Sequence, residues 1–357
     1  MIQPIYNPKV VLASRYRVEQ YLDEGGMQQV FITTDLTFNR RVALKVPKNT
    51  SAEKRFQRSA STSARVNHAN VAKTLDYFEA GNKGHLIEEL IDGKHLGDRL
   101  DNHFEYLDPH LAAKLFSDLA RGLSASHHAK IIHRDLKPSN ILISSDADIS
   151  VVKITDFGIA KLALEEMVGI DVEDQNSITG SQTVLGAIPY MSPEMIESAK
   201  LAKLPADIWA IGAILYRVLT GDFPFGTGLK AVANILEAKV PERPQIFTTK
   251  KQFSQLANEL WEIMLSCLRK NADDRPTADD LVQSCASLCY SDAQRSEGEV
   301  IETRFGSQGT IRGHDGKLIF FHSESVFGAF PAVGTRVNFS AFPGYPRPRA
   351  FPVLPIK

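Results

Sequence analysis

"IIHRDLKPSNILI", residues 131 to 143, decides the reading of this chain. Within it Asp135 is followed two residues on by Lys137 and five residues on by Asn140. Moving a phosphoryl group needs one side chain to orient the attacking hydroxyl, one to neutralise the charge in transit and one to hold a metal ion, and these three suit those roles in that order. Sixteen residues beyond Asn140 comes "DFG", delivered by an apolar stretch, "VVKIT", with the make-up of a strand. Its Asp156 is placed to bridge a divalent cation to phosphates.

Upstream of this stretch the pattern is β-like, through "YRVEQYL", "QVFITTDL" and "RRVALKV". A polar amphipathic run, "TSAEKRFQRSASTSARVNH", follows, with Thr50 and Glu53 spaced as a capping box at its start. From about Leu96 the periodicity turns helical, in "LAAKLFSDLARGLSASHHA", "DIWAIGAILYRVLTG" and "LANELWEIMLSCLRK". The expected class is therefore α+β, a small β-rich lobe before a larger helical one. A polar break at "SDAQRSE" precedes short alternating segments between Gly and Asp turns, which read as a small all-β barrel. The chain divides into an N-terminal extension (1–15), the two-lobed unit (16–290), a linker (291–297) and a β domain (298–357).

Composition narrows the partners. The 357 residues are 43% apolar and 23% charged, an ordinary globular balance, and the formal net charge of −1 argues against polyanion binding through overall charge. The three cysteines make neither a disulfide framework nor a CxxC metal pair. The longest apolar run, "IWAIGAILYRVL", is short and interrupted by Arg217, so the expectation is a cytoplasmic protein without a membrane span.

Taken together, "VALK", "HRDLKPSN", "DFG", "SPE", "DIWAIG" and "DDRP", in that order, resemble the eukaryotic-like (Hanks-type) protein kinases of bacteria, over about Tyr16 to Tyr290. The resemblance implies a two-lobed kinase fold with ATP and Mg²⁺ or Mn²⁺, and transfer of the γ-phosphate to Ser or Thr hydroxyls of a protein substrate, with autophosphorylation. Lys45 would be the strand lysine, and Asp135, Lys137 and Asn140 the catalytic-loop residues. Asn140 and Asp156 would hold metal. Glu194 would pair with Arg275, and Asp207 would brace the catalytic loop. Leu22, Gly25, Gly26, Val30, Ala43, Lys45, Glu88, Glu89, Ile91 and Leu142 would line the nucleotide site. Oligomeric state is not legible.

Several positions depart from that family. In "LDEGGMQQVF", Asp23 and Gln28 stand where glycine or another small residue is usual, and Asp23 and Glu24 add negative potential near the phosphates. Ser59 falls at the position of the helix glutamate that normally holds the strand lysine, and no acid occurs from Phe56 to His68. Ser63 replaces an apolar contact to the DFG phenylalanine. In "HLIEELIDG" a carboxylate, Glu88, stands at the back of the adenine pocket; it either pairs with Lys45 in place of the missing acid or points to solvent. Ala187 replaces a threonine after Gly186, and "SITGSQT" offers Thr179 and Ser181 for autophosphorylation, with Arg134 to read the phosphate. These departures leave a non-enzymatic alternative, a nucleotide-binding pseudokinase scaffold.

The tail, in "GTIRGHDGKLIFFHSESV" and "VGTRVNFSAFPG", is similar to the cold-shock branch of the OB fold. Phe320 and His322 match that family's second stacking motif, whereas Thr310 and Arg312 stand where the first would have aromatic rings. The implied partner is at most weakly bound single-stranded nucleic acid, or another protein; a further alternative makes this module the effector that the kinase regulates.

Overall fold

The computed structural model describes residues 3–24, 28–48, 56–57, 60–81, 83–157, 186–198 and 202–357. The N-terminal sheet contains β1 (Val11–Leu12), β2 (Tyr16–Glu24), β3 (Gln28–Asp35), β4 (Arg40–Pro47), β5 (Thr74–Ala80) and β6 (Lys83–Glu89), in the order β1-β2-β3-β4-β6-β5. Alternation in "RRVALKV" sends Val42, Leu44 and Val46 into one apolar layer with Phe31 and Ile87, and leaves Ala43 and Lys45 on the opposite, cleft-facing side. The N-terminal extension belongs to this lobe. Its β1 pairs with β2, Ile5 and Tyr6 pack on the same apolar layer, and Arg15 pairs with buried Asp35 at 2.8 Å.

The second lobe carries a three-stranded sheet, β7 (Gly93–His95), β8 (Ile141–Ser144) and β9 (Val152–Ile154), and helices α1 (Leu96–Asn102), α2 (Pro109–His128), α3 (Pro193–Glu197), α4 (Leu204–Thr220), α5 (Lys230–Glu237), α6 (Ile246–Thr249), α7 (Lys251–Cys267) and α8 (Ala278–Ala286). Helix α2 starts where Pro109 presets the first turn and Asp108 accepts the His110 and Leu111 N–H groups. Its Leu111, Leu115, Leu119 and Leu123 recur every fourth residue and are buried. Gly122 lets α2 lie against the chain before β5, since a Cβ there would come within 2.7 Å of the Asn70 carbonyl. Helix α8 opens with a capping box of Thr277 and Asp280. The Thr50–Glu53 box and Ser59 lie outside the described residues. No helix among the described residues is long and apolar enough to cross a membrane.

The tail is a closed five-stranded barrel of β10 (Arg295–Arg304), β11 (Gln308–Gly313), β12 (Leu318–His322), β13 (Arg336–Phe342) and β14 (Arg349–Pro355), in the order β10-β11-β12-β14-β13. Val300, Ile311, Ile319, Phe321, Val337, Phe339 and Val353 fill it. The first strand starts at Arg295, three residues before the expected boundary, because Arg295, Ser296 and Glu297 already pair with Ser340, Phe339 and Asn338. The polar letters of "SDAQRSE" hid this. Arg295 is not linker but a buried anchor, donating to Asp108 at 2.9 Å and to Asn338 at 3.2 Å. Phe327, Leu354 and Ile356 join the core of the helical lobe, and the Phe327 ring meets Tyr106 and Phe253. The barrel is thus packed on the helical lobe through apolar contact and a buried ion pair.

Candidate active site

The catalytic loop is built from the backbone outward. Asp207, 1% exposed on α4, accepts the backbone N–H groups of His133 and Arg134 at 2.8 and 2.9 Å, and faces His127 Nε2 at 3.1 Å. His133 donates from Nε2 to the Thr155 carbonyl at 2.8 Å, which leaves Nδ1 to accept the Asp135 N–H at 3.3 Å. Arg134 and Asp156 both hold left-handed backbone, at φ 65° and 61°. Such conformations cost energy in non-glycine residues and persist only where the surroundings impose them. Here they are imposed on the two carboxylate-bearing turns that face the cleft.

At the cleft, Asn140 Nδ2 donates to the Asp135 carbonyl at 2.7 Å and to its carboxylate at 3.0 Å, and Lys137 Nζ lies 3.0 Å from the same carboxylate oxygen. Asp135 is therefore held in one orientation by a neutral donor and a cation. The Asn140 amide gives its N–H₂ to Asp135, so its carbonyl oxygen is left for another partner. A small cavity beside Asp135 is lined by Arg134, Leu136, Ala187, Tyr190, Met191 and Asp207 among others. Ala187, with no hydroxyl, borders it.

On the sheet side, Lys45 Nζ sits between two carboxylates, 2.7 Å from Glu88 Oε2 and 2.8 Å from Asp156 Oδ1. Glu88 is 5% exposed, so its carboxylate does not point to solvent. Register explains the meeting: Lys45 pairs with Leu86 and Ala43 with Glu88, so both side chains leave the sheet on the cleft face. Burial works against the charge of all three groups. The pull of Asp156 and then of Glu88 overcomes it at Lys45, whose ammonium is held above its ordinary pKa. At Asp156 the nearby Lys45 outweighs burial and the pKa falls to about 2. At Glu88 burial wins, and its pKa is raised. One ammonium facing two carboxylates protects the better-placed one and leaves the other the weaker acid.

The remaining expected residues are distributed around this cluster. Ala43 is buried on β4, Val30 and Leu142 are partly buried on β3 and β8, and Leu22 is 47% exposed on β2. Glu89 ends β6 and accepts from Lys73 N–H at 2.8 Å and Lys153 Nζ at 2.6 Å, while Ile91 lies partly buried just after it. Gly25, Gly26, Thr179 and Ser181 lie outside the described residues. The two loop acids are partly answered: Glu24 pairs with Lys48 at 3.1 Å, and Asp23 stands 3.7 Å from His95. Ser63 is buried and shares a hydrogen bond with Thr74 at 2.9 Å. In the sequence Gln28 is only a residue standing where a small one is usual. The structure has its Nε2 donating to Asp156 Oδ1 at 3.0 Å.

Away from the cleft, Arg275 donates through two nitrogens to both Glu194 oxygens, at 2.7 and 2.9 Å. The same guanidinium bonds three backbone carbonyls and lies over the Trp209 ring. This ties α3 to the loop before α8.

The protein kinase domain model matches residues 16–285. Among curated proteins, the chain is 32% identical over 274 residues to the serine/threonine-protein kinase pkn3 of Myxococcus xanthus, covering 75% of this chain and 48% of that protein. It is also 32% identical to the serine/threonine-protein kinases PknB of Mycolicibacterium smegmatis and Mycobacterium tuberculosis, over 276 and 273 residues, in each case 74% of this chain and 41% of the relative. The chain spans less than half the length of these relatives. The match of the domain model ends before the barrel.

Proposed function

This chain belongs to the protein kinase family, and on that premise we propose that it transfers the γ-phosphate of ATP to serine or threonine hydroxyls of proteins, itself included. The observation that carries the reading is the convergence of Lys45, Asp156, Asn140, Lys137 and Asp135 on one cleft, with the Asp135 carboxylate fixed by two donors. Asp135 orients the substrate hydroxyl and takes its proton. Lys137, 3.0 Å away, neutralises charge on the group being transferred. Lys45 meets the nucleotide phosphates, and Glu88 holds it from the strand in place of a helix glutamate.

The donor set fits a hard divalent cation. Asp156 Oδ1 is engaged by Lys45 and Gln28, which leaves Oδ2, and Asn140 keeps its carbonyl oxygen; oxygen ligands of this kind suit Mg²⁺ or Mn²⁺. When bound, the ion supplies neutralisation of phosphate charge. The adenine would lie against Ala43, Val30, Leu22 and Leu142, with the backbone from Glu89 to Ile91 at its edge.

The test is autophosphorylation with radiolabelled ATP. Wild type should label itself, and Asp135→Asn should lower the rate by about 10² to 10⁴-fold, the usual worth of a positioned acid or base. Equal labelling of both would favour the scaffold alternative.

The barrel is read as an OB-like module of residues 295–357. One outward row crosses its strands through Glu302, Thr310, Phe320, Arg349 and Phe342, neighbours in register. Two rings, Phe320 and Phe342, flank Arg349 in a row that ends on an acid, which supports weak single-strand binding at most, so Phe320→Ala should lower whatever salt-sensitive oligonucleotide binding the full chain has.

A further inference from the structure

Gln28 and Gln29 are consecutive residues at the start of β3, and a strand sends consecutive side chains to opposite faces. Gln28 turns into the cleft, where its Nε2 donates to Asp156 Oδ1, the oxygen that also takes Lys45. Among the described residues its own Oε1 is buried without a hydrogen-bond partner. A buried unsatisfied carbonyl is costly, so this placement is not one that stability alone selects. Gln29 turns the other way and is 4% exposed. Its Oε1 accepts the Ile5 N–H at 2.8 Å, and its Nε2 donates to the Gln3 carbonyl at 3.2 Å and to Glu24 at 3.4 Å. The N-terminal segment that grips it is itself fixed by Tyr6, whose hydroxyl lies 2.7 Å from His85 Nε2 and whose ring meets Phe31.

We propose that Gln28 is a determinant of triphosphate affinity, closing the space between β3 and Asp156, and that the N-terminal segment, through Gln29, sets how firmly it is closed. This rests on the kinase reading, in which the phosphates reach Lys45 and the cation at Asp156. A 3.0 Å hydrogen bond leaves no room for a phosphate oxygen between Gln28 and Asp156. Nucleotide must break that bond to bind fully. The nucleoside end of the ligand lies outside the blocked space and is indifferent to it. Gln29 does not touch the ligand; it is a positioning residue, because it pins the same two residues of strand to a segment anchored on the outer face of the lobe.

The experiment uses the full chain and measures equilibrium affinity for MgATP and for adenosine. Gln28→Ser should tighten MgATP binding by about tenfold, the scale of one hydrogen bond to a charged group, and leave adenosine affinity unchanged. Gln29→Ala should tighten MgATP binding by a smaller factor, again without moving adenosine, and should add nothing in the Gln28→Ser background. Tyr6→Phe, which removes only a hydroxyl, serves as the milder probe of the same clamp should Gln29→Ala fail to fold, and should act in the same direction. Unchanged or weakened MgATP binding in Gln28→Ser, with adenosine still bound, overturns the proposal alone. Additive effects of Gln28→Ser and Gln29→Ala overturn the role of the N-terminal segment. A wild type that binds neither ligand overturns the kinase reading and this proposal with it.

Discussion

Two buried ionic clusters, one in the cleft and one away from it in the helical lobe, are built differently. On the helical side Arg275 meets Glu194 one to one, both carboxylate oxygens are used, and the remaining donors reach backbone carbonyls. On the sheet side a single ammonium, Lys45, faces Glu88 and Asp156, one cation to two anions. The first cluster is complete in itself. The second sets two acids against one cation in a closed place, and that imbalance is costly until another cation arrives or Glu88 takes up a proton. Balanced charge here marks scaffold, and unbalanced charge marks the place that binds something.

The comparison breaks most visibly if carboxylates are removed from each side in turn. Glu194→Gln should destabilise the protein by about 3 to 5 kcal/mol, because it leaves the Arg275 guanidinium, with its side chain 0% exposed, without its counter-ion. A melting temperature unchanged by that variant would mean the pair is no scaffold. Glu88→Met removes a carboxylate from the other cluster and should not lower the melting temperature, since it relieves the imbalance. Its cost should fall on function instead, with MgATP affinity weakened about tenfold as Lys45 loses one of its two holders. Wild-type affinity in Glu88→Met would sink the idea that Glu88 stands in for a helix glutamate.

A pH titration sharpens the same contrast. Asp156 is depressed from 3.8 to about 2 by Lys45, so its stabilising effect is present above pH 3.8 and is lost as pH falls towards about 2. Glu88 is shifted the other way, so acid relieves it. The gap in melting temperature between wild type and Asp156→Asn should therefore shrink over that interval; a constant gap would show that Asp156 is not the protected carboxylate. The smallest effect is expected at Ser63. Ser63→Ala leaves the Thr74 hydroxyl without this partner and should cost about 1 kcal/mol in denaturant unfolding, with catalysis little changed.

What could be read from the sequence follows the distance over which each interaction is made. Asp135, Lys137 and Asn140 lie within six consecutive residues, and their spacing alone puts them in one loop. The meeting of Lys45 with Glu88 was legible as a need, a buried carboxylate wanting a cation, but its geometry depends on the register of β4 against β6. The Gln28 contact to Asp156 spans 128 positions, and nothing in a glutamine's neighbours announces such a partner. Gln29 was unreadable for a different reason: its partners at residues 3 and 5 are backbone groups, which every residue has. The first barrel strand was misplaced by three residues because its buried end is arginine, a residue that sequence patterns assign to solvent.

That arginine also bears on where the protein can be cut. Asp108 caps the first turn of α2, a core helix of the helical lobe, and is also the counter-ion of Arg295. A fragment ending at residue 285, where the kinase domain match stops, would keep the acid and lose the base, and would bare Tyr106 and Phe253 where Phe327 had covered them. For this chain the unit of expression is the kinase with its barrel attached, and inactivity or aggregation of the shorter fragment would report a torn surface and say nothing about the chemistry of the cleft.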